Sequence, residues 1–270
     1  VYLPTIFWRV DPALLGHIAK GTVGAVLKPN APQAHYAFSD GQLLDRVCCR
    51  DHLLASEANV GYICFVGDSH MRYLYNDIAL SLFGGVDGNV ALNKEARNES
   101  HFRFYNLHFA SDVDGNLRAI QETCSTLFVN FGQWPLGWPQ GRPLTVSEFA
   151  SDVEQVLAKL KTALASPLGS ESEVQKLRKM YWLFQEPCPE TGVFQCPARD
   201  WRSHAWTRAY NKQAARTAEA HAIDVIDVFS AYEAVQELTY DGCHYVSPVT
   251  GAAVDMVLQK LFPECGPDRG

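Results

Sequence analysis

Ser69 stands in the run Gly67-Asp68-Ser69-His70, between a short apolar stretch and an amphipathic one. A serine at the junction of a buried strand and a helix presents its hydroxyl at the end of a sheet. Its own N–H belongs to the unpaired donors of the helix start, where a developing negative charge is favoured. The competing role is plain helix capping by Asp68 or Ser69. Met71 occupies the place of the second glycine in a G-x-S-x-G elbow, which argues against the α/β-hydrolase arrangement.

Far along the chain, Asp241-Gly242-Cys243-His244 offers a base and a carboxylate to orient it. His244 would take the Ser69 proton, and Asp241 would hold the imidazole in the required tautomer. A D-x-x-H turn is common on surfaces. Its weight here comes from its position before the last helical stretch, where a base must come from if Ser69 is the nucleophile. Asn130 ends an apolar run, Thr126–Asn130, and its amide can donate to an oxyanion beside the Ser69 N–H; the alternative is an asparagine that satisfies loop backbone. Trp134 and Trp138 follow in a Gly/Pro-rich loop, suited either to stacking on a sugar ring or to pinning the loop.

The elements that must position these residues are legible from periodicity. Apolar runs at Tyr62–Val66, Thr126–Asn130, Met180–Gln185 and Ile223–Val228, with an alternating one at Phe102–Phe109, predict strands. Helical spacing predicts helices over Ser69–Phe83, Val146–Leu164, Ser203–His221 and Pro248–Phe262. Strands alternating with helices imply a mainly parallel sheet covered on both faces, with its site at the strands' carboxyl ends. Residues 1–60 lack a sustained period and carry turn-rich runs such as KPNAPQ, so they are expected to form a cap or lid segment before a catalytic domain over residues 61–270.

Composition is ordinary for a globular chain, with 47% apolar and 20% charged residues. A formal net charge of −7 and no basic cluster argue against nucleic acid and anionic membranes as partners. Eight cysteines occur without a C-x-x-C pair, so the zinc-ribbon spacing is absent and no metal site is expected. Cys188 and Cys196 flank a loop that could close as a disulfide, Cys243 and Cys265 could tie down the last helix, and Cys64 reads as a buried thiol. With the glycosylation sequon at Asn98-Glu99-Ser100, these features favour the secretory pathway, extracellular or Golgi lumen, for a glycoprotein. The chain starts at Val1 rather than methionine, which is consistent with a removed leader or a trimmed sequence.

Taken together, GDS near the start, an asparagine after a central strand and D-x-x-H near the end resemble the SGNH (GDSL-type) hydrolase superfamily. FVGDSHMRYLYNDIAL, LFVNFGQWP, YNKQAARTAEAHAIDVIDVFS and YDGCHY are similar to blocks of its PC-esterase branch, which includes trichome birefringence-like plant polysaccharide O-acetyltransferases and fungal Cas1-type proteins. The likeness covers residues 62–262. The plant closing motif Asp-Cys-Ser-His-Trp-Cys is Asp-Gly-Cys-His-Tyr-Val here, and the superfamily's second-block glycine has no clear counterpart; Gly115 is the nearest, with Gly84 and Gly85 earlier.

The resemblance implies a flavodoxin-like three-layer α/β/α sandwich. It implies Ser69 as nucleophile, His244 as base, Asp241 as its partner, and Ser69 and Asn130 as oxyanion donors, with Arg72 either holding the Ser69 loop or touching substrate; Trp134 is the further candidate for a substrate contact, from its place in the loop. The expected activity is a serine-dependent acyl-ester hydrolase, a carbohydrate O-acetylesterase that needs no cofactor and acts on an acetylated carbohydrate or polysaccharide. The alternatives are a polysaccharide O-acetyltransferase with the same triad and a non-catalytic carbohydrate-binding protein on the same scaffold. Oligomeric state is not legible.

Overall fold

The computed structural model describes residues 44–55, 61–83, 101–137, 142–165, 179–188, 202–233, 235–239, 243–245 and 249–266. Among the described residues five strands form one sheet: β1 (Tyr62–Gly67), β2 (Phe102–Asn106), β3 (Cys124–Val129), β4 (Lys179–Leu183) and β5 (Asp224–Ile226). Their order is β2-β1-β3-β4-β5 and every pairing is parallel. This is the flavodoxin-like order, in which the chain leaves β1 on one side and returns as β3 on the other, opening a crevice at their carboxyl ends.

The helices are α1 (Arg46–Ala55), α2 (Ser69–Phe83), α3 (Val113–Thr123), α4 (Gln133–Leu136), α5 (Val146–Ala165), α6 (His204–Ala220), α7 (Val228–Glu233) and α8 (Gly251–Leu261). They cover both faces of the sheet. Phe65, Phe128 and Tyr181 pack with α1, α2, α7 and α8, whereas Cys64, Val66, Leu127, Val129 and Trp182 pack with α3, α5 and α6. The two-residue period of a strand sends alternate side chains into these two cores, so a strand buried on both sides reads as a continuous apolar run. Phe65, Phe128 and Tyr181 lie in register on neighbouring strands, with successive ring centroids 5.1 Å apart.

Two differences from the sequence reading bear on the site. The predicted strand over Phe102–Phe109 ends at Asn106: the Leu107 N–H makes the last ladder bond, to the Gly67 carbonyl, and the His108 and Phe109 N–H groups then donate to the Asp112 carboxylate instead of to the sheet. The segment that follows is α3, which the sequence reading lacks. Gly115 weakens a Val113, Leu117, Ile120 stripe that packing nonetheless holds in helix, with Val113 and Ile120 buried. Gly115 therefore sits exposed on α3, with nothing within 4 Å of the position of a side chain, and is not the missing oxyanion donor. Gly84 and Gly85 lie outside the described residues.

The cysteine pairing also differs. Cys64 is not a thiol: it bridges to Cys124 across the adjacent strands β1 and β3, where both side chains enter the same core. Cys265 bonds Cys48 rather than Cys243, because the turn after α8 lies against the start of α1, where the Asp45 N–H donates to the Cys265 carbonyl. Cys188 remains a thiol in the loop after β4, so the loop disulfide expected of it is not formed; Cys196 lies outside the described residues. Most of residues 1–60 lie there too. The part that is described, α1, buries Cys49 and Leu53 in the same core as α2. No helix among the described residues is long and apolar enough to cross a membrane.

Candidate active site

The end of β1 and the start of α2 place Ser69. Asp68 is fully buried and caps the helix, its Oδ1 accepting the His70 N–H at 3.0 Å, with the Arg72 N–H on its carbonyl. Capping is thus the work of Asp68, and the Ser69 hydroxyl goes elsewhere: Oγ lies 2.7 Å from His244 Nε2. Both residues are only half-buried, so the pair is open to a reactant. Gly67 is needed at this junction because a Cβ there would fall 2.5 Å from the Asn130 carbonyl and 2.6 Å from Met71 Cβ. That close approach brings the ends of β1 and β3 together under the helix.

Asn130 is buried at the end of β3. Its Nδ2 donates to the carbonyls of Leu183 at 3.2 Å and Phe184 at 2.9 Å, across to the end of β4. Both amide hydrogens are therefore engaged, while Oδ1 is buried with no hydrogen-bond partner. Arg72 stands one turn into α2 with its guanidinium over the Tyr73 ring, 5.5 Å from the centroid, and the Tyr73 ring lies 4.9 Å from that of His244. Trp134 is half-buried in α4 against His108, with ring centroids 4.3 Å apart. Asp241, Trp138 and the Asn98 sequon lie outside the described residues.

A buried polar cluster, absent from the sequence reading, adjoins the serine. His70 Nδ1 is 2.7 Å from Glu186 Oε2, and His70 Nε2 is 3.4 Å from Cys243 Sγ. Arg202 Nη1 donates to the same sulfur at 3.4 Å. The Cys188 thiol is 3.5 Å from Gln133 Oε1, and Gln133 Nε2 donates to the Glu186 carbonyl at 2.6 Å. The His70 and His244 rings are 4.8 Å apart.

Burial alone would lower the pKa of His70, but Cys243 and Glu186 outweigh it and raise it well above the ordinary value. Burial raises Glu186, against the pull of His70. A hydrogen bond from Cys188, then His70 and Arg202, overcome burial and hold the Cys243 thiol well below its usual pKa. The only signal in the sequence for this cluster is that His70 and Cys243 immediately adjoin Ser69 and His244.

The loop after β4 is itself clamped. Asn211 on α6 accepts the Gln185 N–H at 2.7 Å and donates to the Gln185 carbonyl at 2.9 Å. Gly132 has φ of 145°, and a Cβ there would lie 1.8 Å from Gln185 Nε2. Among the described residues, two groups of side chains have metal-ligand composition. In one, Cys48 and Cys265 are joined to each other and offer no thiolate; the other is His70, Cys188 and Cys243.

No family model and no curated protein matches the chain. Solved structures do. Est24, a carbohydrate acetylesterase from Sinorhizobium meliloti, superposes with a TM-score of 0.52 at 9% identity, over 76% of this chain and 99% of that one. A Bacteroides fragilis protein assigned as an acylhydrolase superposes with a TM-score of 0.51 at 12% identity, over 80% of this chain and 95% of the other. At such identities the likeness is one of fold: a five-strand parallel sheet flanked by helices.

Proposed function

We propose that the protein is a serine-dependent acyl-ester hydrolase, and more narrowly a carbohydrate O-acetylesterase. The observation that carries this reading is the 2.7 Å contact between Ser69 Oγ and His244 Nε2 at the carboxyl end of β1. A hydroxyl held that close to an imidazole nitrogen can pass its proton as it attacks. In this reading Ser69 attacks the ester carbonyl and His244 takes the proton. The proton then goes to the leaving sugar oxygen, and water releases the acyl-enzyme by the reverse path. Asp241 orients His244 in this reading.

The oxyanion forms beside the Ser69 N–H, one of the donors at the start of α2 without an intrahelical acceptor. Asn130 joins it by exchanging a bond to Leu183 or Phe184 for one to the substrate oxygen. Arg72 and Trp134 are the proposed contacts to the carbohydrate. The carbohydrate preference draws on the sequence blocks and on the fold shared with a carbohydrate acetylesterase. We propose a secretory-pathway location, a reading supported by the two disulfides among the described residues, which suit an oxidising compartment.

Treatment with a fluorophosphonate probe, followed by intact mass, tests the nucleophile. Wild type should gain one adduct and Ser69→Ala none. Incubation with acetylated xylan should release acetate, and adding an unacetylated oligosaccharide should leave acetate the main product. Acetyl groups appearing chiefly on the oligosaccharide would make the protein a transferase. A folded wild type with neither labelling nor turnover would overturn the catalytic reading.

A further inference from the structure

The residue after the serine and the residue before His244 converge on a third side chain from a different part of the fold. His70 comes from the start of α2, Cys188 from the loop after β4, and Cys243 from the loop that carries His244. All three are buried, and their ligand atoms lie within 4.8 Å of one another. We propose that His70 Nε2, Cys188 Sγ and Cys243 Sγ bind a zinc-class divalent cation that fastens the His244 loop to the end of the sheet.

The spacing suits such an ion. With metal–sulfur bonds of about 2.3 Å and metal–nitrogen bonds of about 2.0 Å in a tetrahedron, neighbouring donors stand roughly 3.5–3.8 Å apart. His70 Nε2 and Cys243 Sγ are 3.4 Å apart. Gln133 Oε1, 3.5 Å from Cys188 Sγ, is an oxygen that could take a fourth position beside that sulfur.

The surroundings are those of a ligand set. A metal-bound imidazole is commonly held by a carboxylate on its other nitrogen, and Glu186 holds His70 Nδ1 in this way. Gln133 is oriented by its own bond to the Glu186 carbonyl. Arg202 donates to the Cys243 sulfur, as hydrogen-bond donors around a metal site do to thiolate ligands. Two thiolates would neutralise a divalent ion, and the Arg202 guanidinium stands at the Cys243 sulfur. Binding releases the thiol protons and any imidazole proton to solvent. A disulfide is the rival use of two neighbouring cysteines. Among the described residues two other pairs are joined that way, but here both sulfurs are thiols and an imidazole nitrogen stands beside them.

No C-x-x-C spacing announces the site, because its donors come from three separate segments. The ion would not touch substrate. It would act through position, holding Cys243 and so His244 at the Ser69 hydroxyl.

The test is titration of the reduced, chelator-treated full chain with Co²⁺, followed optically, with folding monitored by circular dichroism. One equivalent should bind with thiolate-to-cobalt charge transfer and visible bands of tetrahedral intensity, and Zn²⁺ should displace it. Cys188→Ser should abolish the charge-transfer pattern of a two-thiolate site. Glu186→Gln should weaken Zn²⁺ binding by about 10- to 100-fold while the bands persist. Absence of saturable Co²⁺ binding in folded wild type would overturn the proposal, even if the variants fail to fold. So would bands unchanged in Cys188→Ser, or a native protein whose Cys188 and Cys243 resist alkylation until a disulfide reductant is added. None of these readouts depends on esterase activity, so the site stands or falls apart from the function proposed above.

Discussion

Tyr245 donates its hydroxyl hydrogen to the Pro187 carbonyl at 2.6 Å, and this bond lies one residue beyond His244. It joins the loop that carries the candidate base to the loop after β4, which Asn211 and Gly132 already hold. The Tyr245 ring is stacked on Tyr232 of α7 with centroids 4.3 Å apart, so the anchor reaches back into the core. The position of His244 is therefore set by contacts on both sides, Cys243 before it and Tyr245 after it.

Tyr245→Phe keeps the ring and removes the bond. The Pro187 carbonyl is left without that donor, and stability should fall by about 1–2 kcal/mol. The labelling rate of Ser69 by a fluorophosphonate should fall at the same time, since a base displaced by a fraction of an ångström costs rate. Urea unfolding and labelling kinetics on the same preparation check both. A change in stability with an unchanged labelling rate would show that the anchor does not position the base.

Asn130→Ala distinguishes an oxyanion donor from a brace. Loss of the two bonds to β4 alone should cost about 1–3 kcal/mol of stability and leave turnover of the folded fraction near wild type. If Asn130 also serves the oxyanion, kcat should fall by about 10²–10³ with KM little changed. We expect the second result, measured on a small acetyl ester at a temperature where both proteins are folded.

Gly132→Ala should be strongly destabilising. Its φ of 145° is one that side-chain-bearing residues rarely adopt, and the new Cβ would collide with Gln185. A cost above about 2 kcal/mol is expected from strain and displacement together. Thermal melts of Gly132→Ala beside the exposed-helix control Gly115→Ala check this. The control should be neutral or slightly stabilised, because Gly115 has open space and helical backbone.

Burial pushes the Cys49 thiol up to about 11, with Arg46 opposing. An unfolded cysteine titrates near about 8.5. The folded pKa is the higher one, so the unfolded chain loses the proton first as pH rises. The associated stability is complete below about pH 8.5 and is lost as pH climbs through the folded value. Wild type should accordingly lose more stability than Cys49→Ser on going from about pH 8 to about pH 11. Parallel pH curves for the two proteins would contradict the burial argument.

How much was legible before the fold was known depends on how local each cause is. The predicted helix over Ser69–Phe83 coincides with α2, and the apolar run at Tyr62–Val66 is β1 within one residue. Periodicity and the glycines at 67 and 84 act over a few residues, so they can be read from the chain directly. α3 was missed because the local signal and the tertiary outcome disagree. Gly115 lowers helix propensity, while the burial of Val113 and Ile120 restores the helix.

The sequence by itself determined the alternation of strands and helices, and hence a parallel two-faced sheet with Ser69 at the end of a strand. Those features follow from side-chain period and from the chemistry of a helix start. Only the tertiary structure decided what Ser69 meets. The His244 imidazole, the Cys64–Cys124 and Cys48–Cys265 pairs, and the convergence of His70, Cys188, Glu186 and Cys243 join segments far apart in the chain. Such contacts depend on the register between strands, on which core each alternate side chain enters, and on close approaches such as Gly67 against Asn130. Residue spacing along a sequence carries none of those distances.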